Sequence, residues 1–393
     1  MSGWKKFRLD NLANVIMGLS PSGETYNEAG IGTPLLNGPT EFGETFPHCT
    51  VYTTDPKRIC KKGDLIFCVR GSTTGRMNWA DKPYAIGRGV CSISGNDELS
   101  TRFIKHLLSL NLPALLQITG GGTFPNLRKE DINGFEFSAP ENYRKIASIL
   151  SAYDDLIENN LKRIKLLEEL AQRTYEEWFV KFRINGEQLP IDKKTGLPEG
   201  WERKKINDIS EIISGFAFKS SDYVKDGKFK IVTIKNVQDG YFIPETTDSL
   251  VAVPDKVKLT QKLNTGDYIL SLTGNVGRTC IVFGNDFLLN QRVAKIIPKH
   301  EVTKAFTYFM LRDKATIIGL ENLSNGAAQQ NLSPINMGNY SVVVPTHNIL
   351  KLYAETFNPA IDKICNLNLQ NQKLKEARDI LLPRLMSGKI NVA

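Results

Sequence analysis

The strongest constraint on how this chain folds is that its sequence carries one pattern twice. Gly3-Trp4-Lys5-Lys6 followed by Leu9-Asp10-Asn11-Leu12 returns as Gly200-Trp201-Glu202-Arg203 followed by Ile206-Asn207-Asp208-Ile209, an offset of 197. Lys62-Gly63-Asp64-Leu65-Ile66 returns as Thr265-Gly266-Asp267-Tyr268-Ile269, an offset of 203. A glycine turn follows each at the same distance, Arg70-Gly71-Ser72 and then Thr273-Gly274-Asn275. Gly120-Gly121-Gly122 leading to Asn126-Leu127 matches Asn325-Gly326-Ala327 leading to Asn331-Leu332, and Pro140 matches Pro345, both 205 apart. Landmarks in one order at nearly one offset mean two copies of one folding unit, which fixes the architecture before any local motif is read. A chain of 393 residues is also long enough for two or three domains, and at 41% apolar each copy can bury its own core.

Within each copy the apolar pattern predicts a mixed α+β head. Leu65-Ile66-Phe67-Cys68-Val69 and Tyr268-Ile269-Leu270-Ser271-Leu272 are short strands begun at Gly-Asp turns and left through Gly. Residues 102–116 read as a helix, with residues 306–318 as its counterpart. After each closing proline the chain turns helical. Residues 143–182 hold no Gly or Pro, which predicts one long helix. Ile157, Leu161, Ile164, Leu167 and Ala171 draw one apolar stripe along it. Ile364, Leu367, Leu374, Ala377 and Leu381 draw its twin, and stripes this narrow are coiled-coil seams. Residues 184–200, rich in Gly, Pro and Lys, mark a connector. The expected order is a head over residues 1–140, a long helix over 141–183, the connector over 184–200, a second head over 201–345 and a closing helix over 346–393.

Charge and motifs bound the function. Lys and Arg (50) outnumber Asp and Glu (42), which favours a polyanionic partner. Residues 57–88 concentrate the excess, with Lys57, Arg58, Lys61, Lys62, Arg70, Arg76, Lys82 and Arg88 against Asp64 and Asp81. Six cysteines without a C-x-x-C pair, and four scattered histidines, predict reduced thiols, no metal site and a cytoplasmic protein. The first residues lack an apolar leader, and no run is long enough for a membrane span. No catalytic motif survives inspection. Asn358-Pro359-Ala360-Ile361 lacks the second proline and the aromatic of a base-holding methyltransferase turn. Gly18-Leu19-Ser20-Pro21-Ser22-Gly23-Glu24-Thr25 imitates a phosphate loop but sets a carboxylate where lysine is needed. Gly120-Gly121-Gly122-Thr123 could cradle a phosphate through backbone N–H groups or be a plain turn. The chain is therefore expected to have no enzymatic activity of its own and to use no cofactor.

This organisation resembles the specificity subunit of type I restriction-modification systems across essentially the whole chain. The likeness rests on Leu197-Pro198-Glu199-Gly200-Trp201, the Gly-Asp strand starts, the Asn-Leu pairs at 126 and 331, and Leu381-Leu382-Pro383-Arg384-Leu385-Met386-Ser387-Gly388-Lys389-Ile390. The first copy departs from it by opening on Ser2-Gly3-Trp4 without the Leu-Pro. The resemblance implies two tandem target-recognition domains separated by two long helices that pair antiparallel, related by an internal pseudo-twofold. It implies double-stranded DNA and two methyltransferase subunits as partners, with restriction subunits joining through the complex. DNA contacts are expected from the loops beside the central strands and from nearby basic residues: Arg70, Ser72, Thr73, Arg76, Asn78, Arg88 and Arg128 in the first head. In the second head they are Lys235, Thr273, Asn275, Arg278, Gln291 and Arg292, with Asn290 beside them. Ile157, Leu161, Ile164, Leu167, Ile364, Leu367, Leu374 and Leu381 are expected to pair the helices and dock the partners, with Leu381-Leu382-Pro383-Arg384 breaking the closing helix. Two readings from other classes stay open, a coiled-coil scaffold that never reads DNA and a fragment of a methyltransferase or nuclease fusion.

Overall fold

The computed structural model describes residues 4–43, 45–118, 125–140, 142–324, 331–390 and 392. By contacts the chain divides into two compact units, Met1–Glu158 with Lys373–Ala393, and Asn159–Gln372.

In the first unit, β1 (Trp4–Arg8) pairs with β6 (Glu136–Pro140), and a four-stranded antiparallel sheet runs β2 (Ala13–Met17), β5 (Val90–Gly95), β3 (Leu65–Cys68), β4 (Met77–Trp79). All four residues of β3 are buried because both of its faces are covered. Leu65 and Phe67 join the core formed with α1 (Glu98–Gln117), while Ile66 and Cys68 join a second core under the parallel pair Thr33–Leu36 and Tyr84–Ile86. That is why the sequence shows an unbroken apolar run in place of alternation.

The second unit repeats the plan. Here β7 (Glu202–Lys205) pairs with β12 (Ser341–Val344), and the antiparallel sheet runs β8 (Ser210–Ser214), β11 (Val293–Pro298), β9 (Tyr268–Ser271), β10 (Thr279–Ile281). Phe229–Val232 and Phe287–Leu289 form the matching parallel pair. The glycine landmarks match in backbone conformation as well: Gly63 and Gly266 have φ of 88° and 94°, and Gly71 and Gly274 have 89° and 74°. These are left-handed turns that only glycine adopts freely. One expected correspondence fails. The counterpart of α1 is two helices, α3 (Lys304–Leu311) and α4 (Lys314–Asn322), because the Asp313 side chain accepts from the N–H groups of Ala315 (3.0 Å) and Thr316 (3.2 Å) and starts a new helix there.

The long helices are α2 (Tyr143–Tyr175), closed by a π-helical turn at Glu176–Val180, and α5 (His347–Met386). Each head takes a piece of both. In the first unit Ile146, Ala147 and Leu150 from the start of α2 share a core with Leu382, Leu385 and Met386 from the end of α5. In the second, Ala171, Tyr175 and Phe179 meet Leu350, Tyr353, Phe357 and Ile361. Rising numbers on one helix meet falling numbers on the other, so the pairing is antiparallel in both units. Asp154 binds Arg378 and Asn142 binds the Val392 carbonyl in the first; Asn160 binds Asn371 and the Ala171 carbonyl accepts from the Tyr353 hydroxyl in the second. The expected break at Leu381-Leu382-Pro383-Arg384 is absent, since α5 continues through Pro383 to Met386. The apolar anchors Leu382, Leu385 and Met386 sit on the head's core and hold that turn helical.

The stripe residues differ in depth. Ile157, Ala171, Ile364 and Leu367 are buried, while Leu161, Ile164, Leu167, Leu374 and Leu381 are half-buried. The seam also contains a buried polar pair, with Asn160 Nδ2 donating to Asn371 Oδ1 at 2.9 Å. A buried amide pair fixes register, because sliding one helix strands both amides in an apolar seam. The connector is anchored too, with Leu197 buried in the second unit's core together with Trp201 at the start of the second head.

Candidate nucleic-acid interface

Antiparallel geometry decides which loops meet. Because Val90 lies opposite Cys68, the turn leaving β3 and the turn preceding β5 emerge at one end of the first sheet. The Val69 N–H donates to the Gly89 carbonyl (3.0 Å), and the Leu127 N–H to the Val69 carbonyl (2.9 Å), which adds a third segment. Arg70, Ser72, Thr73, Arg76, Arg88 and Asn126 therefore gather at one sheet end, with Arg70 Nε donating to Asn126 Oδ1 at 3.3 Å. The second head repeats the arrangement. Ser271 lies opposite Val293, the Leu272 N–H donates to the Arg292 carbonyl (3.0 Å), and Leu332 N–H to the Leu272 carbonyl (2.8 Å). Thr273, Asn275, Arg278, Gln291, Arg292 and Asn331 gather there. Lys235 joins them at one remove, since its carbonyl accepts from Gln238, which in turn binds Arg278. Asn290 stays beside Arg292, its side-chain oxygen accepting from the Arg292 N–H at 3.1 Å.

Three residues of the expected set are placed differently from the others. Asn78 is 3% exposed and its amide donates to the Gly43 carbonyl at 2.9 Å. Thr273 is 9% exposed and bridged to Asn331. Both side chains are turned into the fold. Arg128 is exposed, but Asp131 takes up its guanidinium through Nε and Nη2, both at 3.2 Å, and the pair holds that helix start. The basic excess over residues 57–88 is also divided in space. Lys61 and Lys62 lie at the turn into β3 and Lys82 follows the end of β4, at the opposite end of the sheet from Arg70 and Arg76. Lys57 is neutralised by Asp55 at 2.5 Å. The glycine-rich stretches at 120–122 and 325–327, with Thr123, lie outside the described residues.

Each sheet start is stabilised by an aspartate that the sequence showed only as a turn residue. Asp64 accepts from the Lys61 N–H (2.8 Å) and from the hydroxyls of Ser92 and Ser94 (both 2.6 Å). Asp267 accepts from the Asn264 N–H (2.7 Å) and pairs with the buried Lys295 (2.7 Å). These contacts fix the sheet whose far end carries the loops.

Little else points to chemistry. The six cysteines are free, and burial pushes the Cys60 thiol up to about 12, far from a nucleophile's range. Among the described residues no three His, Cys, Asp or Glu side chains converge as a metal requires. Among them too, no helix is long and apolar enough to cross a membrane.

Residues 1–169 and 198–376 match the family described as "Type I restriction modification DNA specificity domain". The chain belongs to that family. Its two matched stretches are the two repeats, so the duplication seen in sequence and sheet topology is two DNA-specificity domains in tandem. The family's place in type I systems is DNA recognition without catalysis. Among curated relatives, the MjaIX specificity subunit of Methanocaldococcus jannaschii is 27% identical, covering 85% of this chain and 79% of the relative. The HindI specificity subunit of Haemophilus influenzae is 24% identical over 99% of this chain and all of the relative (100%). A solved S subunit from M. genitalium shares the fold at a TM-score of 0.56, with 19% identity, covering 99% of this chain and 97% of that one.

Proposed function

We propose that the chain reads an asymmetric, bipartite DNA site, one element per head, and docks two methyltransferase subunits, with restriction subunits joining through that complex in the cytoplasm. Methyl transfer and any cleavage belong to those partners. The observation that carries this reading is the pair of sheet ends. Both are built by the same strands and turns and both present cationic and amide side chains, yet the residues differ: Arg70, Ser72, Thr73 and Arg88 at one end, Asn275, Gln291 and Arg292 at the other. Like scaffolds with unlike contact sets read unlike sequences. Mapping methylated motifs in the host, together with a footprint, tests it. The expected result is two short unlike elements separated by an unread spacer; one contiguous block or a palindrome would refute the proposal. Mobility shift without turnover separates this reading from a catalytic fragment, and absence of any shift with partners present would favour a scaffold.

The half-buried seam residues Leu374 and Leu381 are proposed to serve both pairing and docking. Leu374→Asp and Leu381→Asp are each expected to cost on the order of 2 kcal/mol of pairing energy and to weaken co-purification with the methyltransferase subunits. Unchanged assembly in both variants would remove this assignment.

A further inference from the structure

Besides the recurring Asn126 and Asn331, the two heads share an arginine at the reading end. Gly75-Arg76 follows β3 and Gly277-Arg278 follows β9, 202 residues apart. Gly75 and Gly277 have φ of 96° and 86°, so both turns take the left-handed conformation immediately before the arginine. The arginine carbonyl then accepts from the Cys68 N–H (2.8 Å) in one head and the Ser271 N–H (2.9 Å) in the other. Each turn is wedged against the following helix. A Cβ on Gly75 would fall 2.6 Å from Leu112 of α1, and one on Gly277 3.3 Å from Ile317 of α4. Both arginine backbones are thus locked by strand and helix together.

Among the described residues both side chains are held by neutral groups. Arg76 Nη1 donates to the Pro39 carbonyl at 3.4 Å, and the guanidinium lies 5.9 Å from the Phe42 ring centre. Arg278 Nη1 donates to Gln238 Oε1 at 2.7 Å; with the Asn275 amide turned to face it, that oxygen accepts from Nη2 at 3.0 Å and from Nη1 at 3.2 Å. Among the described residues neither guanidinium meets a carboxylate, whereas Arg128, Arg312 and Arg378 all do. A guanidinium aimed by neutral acceptors keeps its whole charge for an incoming anion.

We propose that Arg76 and Arg278 are matched DNA-backbone anchors, one per head, each clamping a phosphate whatever bases lie beside it. The proposal rests on the reading of both heads as DNA binders. A base reader at the same place in both heads would force the same base into both half-sites. The residues flanking the arginines differ, Ser72-Thr73-Thr74 against Asn275-Val276, and there discrimination can vary from head to head. Every target shares its sugar-phosphate backbone at every step, and the phosphate is the part of it that a cation seeks.

The test uses the full chain in complex with its methyltransferase subunits, titrated with sodium chloride against a target duplex and a random-sequence duplex pool. For Arg76→Ala and for Arg278→Ala, affinity should fall by the same factor for both DNAs. The slope of log affinity against log salt should shrink by roughly 1 per arginine removed. The methylated motif should stay unchanged, and Arg76→Lys and Arg278→Lys should restore the slope. A relaxed preference at one base pair, or an unchanged salt slope in correctly folded alanine variants, would overturn the anchor while leaving the heads as DNA readers. A wild-type complex that binds neither duplex would overturn both the anchor and the reading beneath it.

Discussion

Asp267→Ala is expected to destabilise the second unit by about 3 kcal/mol, because it leaves the buried Lys295 ammonium facing no carboxylate. The Lys295 side chain is 7% exposed; among the described residues, besides Asp267 at 2.7 Å, it reaches only the Lys262 carbonyl, at 3.2 Å. The first head shows how to relieve the same position. Ser92 stands where the repeat places Lys295, and its hydroxyl binds Asp64 at 2.6 Å without importing a charge. Lys295→Ser should therefore cost only about 1 kcal/mol, since it removes a charge that needs desolvating and supplies one of the two hydroxyls that hold Asp64, Ile297 standing where the repeat places Ser94. Hydrogen exchange in Tyr268–Ser271 and Val293–Pro298 reads both variants directly. Equal protection in Asp267→Ala and wild type would show that the pair carries no stability.

The second large effect is expected at Asp154 in the first unit. Its Oδ1 meets Arg378 at 2.6 Å, while Oδ2 lies 3.5 Å from Lys105 Nζ and 3.1 Å from His106 Nε2, the last off the line of a hydrogen bond. Burial by itself would raise this carboxyl, but His106, Lys105 and Arg378 outweigh it and hold the group well below the usual carboxylate range. Burial likewise lowers both His106 and Lys105. A carboxyl lowered on folding adds stability that is present above its unfolded value of about 3.9 and is lost as pH falls toward its folded value. Wild type should thus lose stability in the first unit as pH drops below about 4. Asp154→Ala should be weaker by about 3 kcal/mol at neutral pH, because two cations and an imidazole are left around an empty place, and should show less of that acid-dependent loss. Urea unfolding of the full chain at neutral and acid pH, followed by exchange in Glu98–Gln117, measures it. A variant with wild-type stability and the wild-type acid limb would refute the assignment.

What could be read from the sequence was whatever local chemistry fixes. Gly63, Gly71 and their partners Gly266 and Gly274 announce left-handed turns by residue type alone, so the repeat and the ends of the central strands were visible. The sheet end could be guessed because loops beside a strand stay beside it. Burial is harder to read. Asn78 and Arg76 stand two residues apart, and only the strand pairing shows that one faces the Gly43 carbonyl while the other leaves the sheet. Contacts between distant residues leave no trace in spacing. Asn160 meets Asn371 across 211 positions and Asp154 meets Arg378 across 224, and neither pair interrupts the apolar stripe enough to be noticed. The split between α3 and α4 turned on one aspartate whose side chain caps forward, a choice that composition cannot make.

The division of the long helices also orders events at the ribosome. The second unit is continuous in the chain, Asn159–Gln372, whereas the first needs Lys373–Ala393 to cover Phe103, Leu107 and Ile146 with Leu382, Leu385 and Met386. Although the first head emerges early, its hydrophobic surface stays open until the last turns of α5 leave the exit tunnel. A chain truncated after Gln372 and released would present a finished second head and an unfinished first one, and the unfinished head is where a chaperone should be found.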